Sequence, residues 1–337
     1  MINTTTIIDD IGVDNWETFL KTHPSGNFFQ SSKYYYALTK VKNNKPFVLF
    51  ATQNNKIVGL LLAVVQQEPM GIFSFFSSRA IINGGPLVIN NDPVITNILL
   101  QKLNEHLKSK AIYTQIRNTF DNSSLIATYR TNKYNYEEHL NIIVDLTKNE
   151  EELWNDVHTK RRNEIKRSTK EGTYFESDAD NDVIDKTYPI LQEVYKRAKL
   201  PLPSVSTFKD FYNFLGPSVF RIFTANYEGK VIGTMYTLCY NDIIYDWYAG
   251  SYKAFYKKYP NDLIPWKIFL WGKLNGYLKF DFGGAGNPNI PYGVRDYKEK
   301  FGGTFVNFGR FEKINKPLIY IVSKFGFRMF QILKYKK

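Results

Sequence analysis

Residues 280–303, FDFGGAGNPNIPYGVRDYKEKFGG, hold the side chains best suited to chemistry in this chain: Asp281, Tyr292, Arg295, Asp296, Tyr297 and Lys298, set among six glycines. Carboxylates, phenols and cations held together can move protons and stabilise charge that develops on a substrate. The glycines permit positive φ and let a ligand approach the main chain closely. A plain surface turn also collects glycine and is the competing reading. Both charge signs in so permissive a backbone favour a site.

Such a loop needs a framework, and the chain carries one twice. Residues 47–67, FVLFATQNNKIVGLLLAVVQQ, read as a strand, an Asn54-Asn55 turn and a second strand containing Gly59. Residues 220–240, FRIFTANYEGKVIGTMYTLCY, repeat the pattern around Glu228-Gly229, with Gly233 lying 174 residues after Gly59. Both turns suit tight reversal between β-rich arms. Asp92-Pro93 then opens a helix to about Lys110, followed by a strand at 112–116. Asn261-Asp262 opens its counterpart to Leu278, followed by a strand at 280–282. Two copies of hairpin, helix and strand indicate duplication of an α/β (α+β) unit. At 337 residues two domains are also the expectation from size.

Composition narrows the chemistry. The single cysteine, Cys239, excludes an internal disulfide framework and lies in an apolar run, so it reads as a buried structural thiol. Four scattered histidines show no metal-ligand spacing, and no metal is expected. The start of the chain lacks the pattern of a secretory signal, and no run has the length of a membrane span. These features predict a cytoplasmic protein, with peripheral contact at the inner face of the membrane as an option. A net charge of +12 favours polyanionic partners, among them RNA, phosphorylated lipid precursors and anionic membrane surfaces.

That charge concentrates between the repeats. Thr147 and Glu150 have the spacing of a capping box that would start a helix ending at Gly172. Lys160, Arg161, Arg162, Lys166, Arg167 and Lys170 cover its polar surface, while Leu153, Trp154, Val157 and Ile165 form a broken apolar face. The helix reads either as a solvated face with a suitably charged positive end or as a phosphate-binding face. The tail, 316–337, mixes apolar residues with six cations and is expected either to dock on the body or to lie on an anionic bilayer.

The closing FDFGGAG with GVRDYKEKFGG, the segment FFQSSKYYYALTK at 28–40, the basic HTKRRNEIKRSTKEG at 158–172 and the repeated hairpin together resemble the Fem family. These are aminoacyl-tRNA-dependent transferases that add amino acids to peptidoglycan precursors. The resemblance implies two tandem acyltransferase domains of the GNAT type, each a mixed, largely antiparallel sheet flanked by helices. It places them at 1–145 and 146–315, with the catalytic loop in the second and a basic tail at 316–337. The long helical hairpin that some members insert is absent from the sequence.

By the resemblance Lys298, after Tyr297, is catalytic. Physically, a fixed ammonium stabilises the oxyanion formed when an amine attacks an ester or thioester carbonyl. Asp281 either orients or deprotonates the attacking amine, or caps the glycine turn that follows. Lys33 or Lys40, with Arg197, match the family's precursor-binding cations, and Tyr292, Arg295 and Tyr297 join them as expected substrate contacts. Arg161, Arg162, Lys166, Arg167 and Lys170 are expected to hold tRNA phosphates. No cofactor is implied: charged tRNA is the co-substrate, and a nucleotide- or lipid-linked envelope precursor is the acceptor.

A polysaccharide-associated branch with the same body leaves open acyl-CoA as donor and an amino sugar as acceptor. Against it, residues 251–262, SYKAFYKKYPND, lack the glycine expected of a pyrophosphate cradle, and Gly84-Gly85-Pro86 in the first repeat lacks the expected spacing. A non-catalytic module holding RNA or an anionic precursor is the third reading.

Overall fold

The protein is described by a computed structural model covering residues 5–67, 77–178 and 182–323. It contains two compact units, residues 1–139 with 307–337, and residues 140–306.

The first unit is built on a sheet in the order Thr6–Ile8, Asn44–Gln53, Lys56–Gln66, Arg79–Asn83, Tyr113–Arg117, Arg310–Ile314 and Asn135–Glu137, with Leu87–Val88 also paired to Lys56–Gln66. The second sheet runs Thr304–Asn307, Leu140–Asp145, Lys279–Gly286, Ile243–Ser251, Lys230–Tyr240, Phe220–Tyr227 and Tyr174–Asp178. Each sheet is mixed. Arg79–Asn83 runs parallel to Tyr113–Arg117 in one, and Ile243–Ser251 runs parallel to Lys279–Gly286 in the other.

The duplicated hairpins agree in detail. Asn54 and Asn55 have φ of 49° and 59°, and Glu228 and Gly229 have 50° and 73°, the left-handed pair that matches strand twist in a two-residue turn. A bulge follows Ala51 in one and Ala225 in the other, with Gly59 and Gly233 opposite those alanines. A Cβ on Gly59 would stand 2.9 Å from Leu99 of helix Pro93–Leu107, and one on Gly233 would stand 2.8 Å from Pro260 of helix Pro260–Leu274. Both glycines are therefore where strand and following helix touch, which explains their repetition.

Helix Pro93–Leu107 starts as the sequence predicts, with Asp92 Oδ1 accepting from Val94 N at 2.7 Å and Ile95 N at 3.1 Å. Its apolar stripe, with Leu99, Leu103 and Leu107 fully buried, packs with Leu61 and Ile82 into the first core. Phe269, Phe280, Phe282 and Phe301 dominate the second core, with Phe269 in edge-to-face contact with each of the other three.

Three expectations are revised. Leu140–Asp145 pairs in the second sheet and Arg310–Ile314 in the first, so each crosses the boundary expected at 145 and 315. Strand pairing is non-local, and nothing in either short apolar run says which sheet will accept it. The segment before the basic stretch is two helices, Glu150–Asp156 and Thr159–Lys170, separated by buried, extended Val157. Its capping box is Asn149 with Glu152, since Thr147 instead donates to Asp145 Oδ1 at 2.6 Å. The proposed tail is described only over 316–323 and is helical from 317; the rest lies outside the described residues.

Candidate active site

Tyr245 and Asp281 are the last residues joined by the parallel pairing in the second sheet. Beyond them each strand keeps only its outer neighbour. Ile243–Ser251 continues along Lys230–Tyr240 to the Gly233–Ser251 pair, and Lys279–Gly286 continues along Leu140–Asp145 to Gly286. The sheet splits, and the split is built in locally. Trp247 is the extra residue of a bulge between Asp246 and Tyr248, and Gly283 and Gly286 adopt φ of 69° and 77°.

Splitting a sheet leaves main-chain groups without ladder partners, and Lys298 supplies two of them. Its Nζ donates to Phe282 O and, at 3.1 Å, to Gly284 O. An ammonium has three N–H donors, and among the described residues these carbonyls are the acceptors it meets, which leaves one N–H for a ligand. No carboxylate forms a direct ion pair with Lys298 among the described residues. Its charge is held by dipoles and left largely unneutralised.

Asp281 lies on the face of its strand opposite Phe280 and Phe282 and is buried. Its Oδ1 accepts from Gly283 N at 2.7 Å and from Asn141 Nδ2 at 3.5 Å. Burial raises its pKa, while the Gly283 amide and then Lys298 oppose the rise. Of the two roles open to it, the turn cap fits the geometry. By fixing Gly283 it orients the carbonyls on either side, which hold Lys298.

The sequence offered no signal for Asp246. It stands at the first position past the parallel pairing, half-buried, and burial moves its carboxyl up to about 6. Lys298 pulls that value down and Asp281 pushes it up, so all three side chains feel one another across the split. Nothing distinguished DWYAG from any other strand until two distant strands placed it there.

Lys298 is carried by helix Gly293–Glu299, whose supports use most of the other expected site residues. Tyr297 OH donates to Asn261 O at 2.5 Å. Residue 265 is proline and cannot give that carbonyl its helical partner, so the phenol takes the place of the missing N–H. Arg295 donates to Asn287 O at 2.7 Å and Ile290 O at 2.8 Å, tying down the loop before the helix. Tyr292 is 40 % exposed and lies against Gly286, close to the split.

The expected phosphate-binding cations separate. Arg161 is not part of an exposed basic face: it pairs with buried Asp262 and, at 3.1 Å, with Glu164, and its guanidinium covers the Tyr297 ring at 4.8 Å. Arg162 donates to Trp154 O and Asn155 O, the terminal carbonyls of the preceding helix. Arg167 pairs with Glu171 at 2.8 Å, Lys166 lies 5.6 Å from the Trp154 ring, and Lys170 is exposed. Arg197 bonds Tyr256 and Glu193 and is not joined to the split by any described contact. Lys33 and Lys40 are exposed on and just after helix Ser32–Thr39 of the first unit. Among the described residues no cluster of His, Cys, Asp and Glu could hold a metal ion.

Residues 157–299 match the family described as acetyltransferase (GNAT) domain, a span that ends just after Lys298. The whole chain is similar in structure to FemX, with a TM-score of 0.74 at 15% identity, covering 94% of this chain and 100% of that one. It is similar to L-PGS from Bacillus licheniformis, with a TM-score of 0.57 at 18% identity, over 94% and 97% of the two chains. A tandem GNAT protein from the clavulanic acid biosynthesis pathway gives 0.56 at 9% identity over 93% and 99%. At these identities the likeness is one of fold. No curated protein matches the sequence.

Proposed function

We propose that this GNAT-type acyltransferase, with its Fem-like body of two tandem α/β units, moves an amino acid from charged tRNA to an amine of a peptidoglycan or related envelope precursor. The observation that carries the transfer chemistry is Lys298, whose ammonium is anchored by two carbonyls and keeps one N–H with no acceptor among the described residues. When the acceptor amine attacks the ester carbonyl, a C–N bond forms and the carbonyl oxygen gains negative charge. The remaining N–H of Lys298 stabilises that charge more than it stabilises the neutral ester. The C–O bond to the ribose then breaks, and a proton lost by the amine ends on the departing oxygen. Asp281 serves as a positioning residue through Gly283.

Support for the donor comes from the helix that follows the split strand. A coenzyme A pyrophosphate would be drawn to the amides at its N-terminus. At Pro260–Leu274 that end carries Asp262, a buried carboxylate paired with Arg161, and Tyr259 in a left-handed conformation in place of a glycine. That end therefore lacks the glycine that a pyrophosphate cradle uses and already holds a paired carboxylate of the chain. The acceptor reading rests on the Fem-like fold and on the net charge of +12, which suits a phosphorylated precursor. Among the described residues no helix is long and apolar enough to cross a membrane, and we place the reaction on the cytoplasmic side, where charged tRNA is made.

The test is transfer of label from a pool of charged tRNA, and separately from acetyl-CoA, onto extracted envelope precursors. Transfer from tRNA that disappears in Lys298→Ala is the expected result. Transfer from acetyl-CoA alone would keep the fold and Lys298 and replace the donor. Binding of tRNA without any transfer would make the chain a non-catalytic module.

A further inference from the structure

Three segments of the second unit meet at the end of helix Thr159–Lys170: that helix end with Glu171, the turn between Phe220–Tyr227 and Lys230–Tyr240, and the short 3-10 helix Lys253–Lys258. Thr173 Oγ1 donates to Lys258 O at 3.0 Å, and Lys258 Nζ stands 4.1 Å from the centre of the Tyr227 ring and 3.8 Å from Glu171. Lys230 lies over the rings of Tyr252 and Phe255, at 5.6 and 5.3 Å. The Tyr227 and Phe255 rings are 6.3 Å apart, which joins the turn to the 3-10 helix, and Arg167 covers Tyr259 at 5.3 Å.

The charge on this surface is one-sided. Residues 167–171, 227–230 and 252–259 hold six cations and two carboxylates, and Arg167 and Lys258 share one of the two, Glu171. Glu193, beside them, is engaged by Arg197 and by the Lys253 amide. Among the described residues Lys170, Lys230, Lys253 and Lys257 have no carboxylate partner and are exposed. Tyr227, Tyr252, Phe255 and Tyr259 are half-buried with a cation over each ring, so Arg167, Lys230 and Lys258 are held in place before any anion arrives.

The shape of the patch selects among anions. A single diphosphate is gripped at one point by converging amides; these cations are side chains spread along three segments. A bilayer is entered by apolar side chains free to leave the surface. Here, among the described residues, Tyr256 is the one large apolar side chain of the three segments that is exposed. A polymer with phosphates recurring along its backbone matches both the spread and the charge. The patch also adjoins the site: Asn261, two residues past Tyr259, accepts from Tyr297, the neighbour of Lys298.

We propose that Arg167, Lys170, Lys230, Lys253, Lys257 and Lys258 form the surface that tracks the phosphate backbone of the RNA donor and holds it beside the Lys298 helix without reading its sequence. The inference rests on the aminoacyl-tRNA reading. It moves the RNA contact from the face of helix Thr159–Lys170, where Arg161 and Arg162 are spent on the chain's own groups, to a surface built mostly outside that helix.

The experiment is fluorescence anisotropy of a 5′-labelled, uncharged tRNA transcript over a range of salt. Wild type is compared with Lys230→Gln/Lys253→Gln/Lys257→Gln and with Lys42→Gln/Lys45→Gln/Lys56→Gln, which removes the same charge from exposed lysines of the first unit. The first variant should bind on the order of 100-fold more weakly at about 0.1 M salt, and its slope of log affinity against log salt should fall by about two to three, as for three lost phosphate contacts. The second should change neither. Lys253→Gln/Lys257→Gln, which leaves every ring contact in place, should show about two-thirds of the slope change and so separates lost binding from lost folding. Equal losses in both triple variants, or none in either, overturn the assignment and leave aminoacyl transfer standing. If wild type binds phosphatidylglycerol vesicles and not tRNA, and the first variant releases the vesicles, the patch is a membrane contact and the assignment falls. Patch-dependent tRNA binding by a protein that transfers only from acetyl-CoA would overturn its role in holding the donor, together with the aminoacyl reading.

Discussion

The two units start from one hairpin-helix-strand plan and diverge where their parallel strands meet. In the first unit Arg79–Asn83 and Tyr113–Arg117 stay paired over their full length, and Gly84 N continues the contact to Arg117 O at 2.8 Å. A lapse elsewhere in that sheet, at Leu62, is closed by the fully buried Gln30. Its amide donates to Leu62 O and Asn83 O, and its oxygen accepts from Leu62 N at 2.7 Å. In the second unit pairing stops after three residue pairs, and the main chain exposed there is met by the charged end of Lys298. A neutral amide that uses both its donor and acceptor sides makes a closed core. An ammonium with a donor to spare leaves a candidate site. Duplication supplied the framework, and whether a lapse in a sheet became structure or function turned on the charge and the satisfaction of the side chain that filled it.

Exchanging the two fates tests this contrast. Lys298→Ala should lower kcat by about 10²–10³-fold, the usual cost of one oxyanion donor, with little change in the denaturation midpoint. A steady-state transfer assay beside a urea titration reads both. Gln30→Leu should do the reverse: three buried main-chain groups lose their partner, at roughly 2–5 kcal/mol of stability, while turnover per folded molecule is kept. If Gln30→Leu lost activity at full stability, the first unit would not be the inert partner described here.

The shared plan has its own check. Gly59→Ala and Gly233→Ala each press a methyl into the following helix, and each should cost about 1–3 kcal/mol by over-packing, with similar values from matched unfolding curves. The smallest effect concerns pH. Burial holds Asp246 at about 6 in the folded protein, above its ordinary value of 3.8, with Lys298 opposing and Asp281 reinforcing the shift. The folded chain keeps this proton where the unfolded chain has lost it, so the associated stability is present below about pH 4 and is lost as pH rises through 6. Asp246→Asn should therefore raise the thermal midpoint at pH 8 relative to wild type and leave it nearly unchanged at pH 4.

Much of the fold was legible because its signals are local. Left-handed turn residues, a glycine on each second strand and Asp92 before Pro93 act within a few positions, and each appears where the pattern placed it. The Thr147 capping box failed for an equally local reason, since Asp145 competes for the same hydroxyl two residues away. The basic helix was misread in part because sequence counts charges without their partners. Arg161 looked like its neighbours until Asp262 and Tyr297 were brought against it from elsewhere in the chain.

The sequence by itself determined the duplication and the glycine-rich closing loop, because residue type and short-range spacing are enough for backbone freedom, turn type and helix starts; within that loop it was the family resemblance that singled out Lys298. Tertiary structure alone decided that Leu140–Asp145 and Arg310–Ile314 each pair across the expected boundary, that Asp281 caps a turn and that Asp246 stands where the parallel strands part. Those outcomes depend on which distant strands pair and where the pairing ends, and on how burial shifts a carboxyl once it is there. Neither quantity is carried by neighbours in the chain.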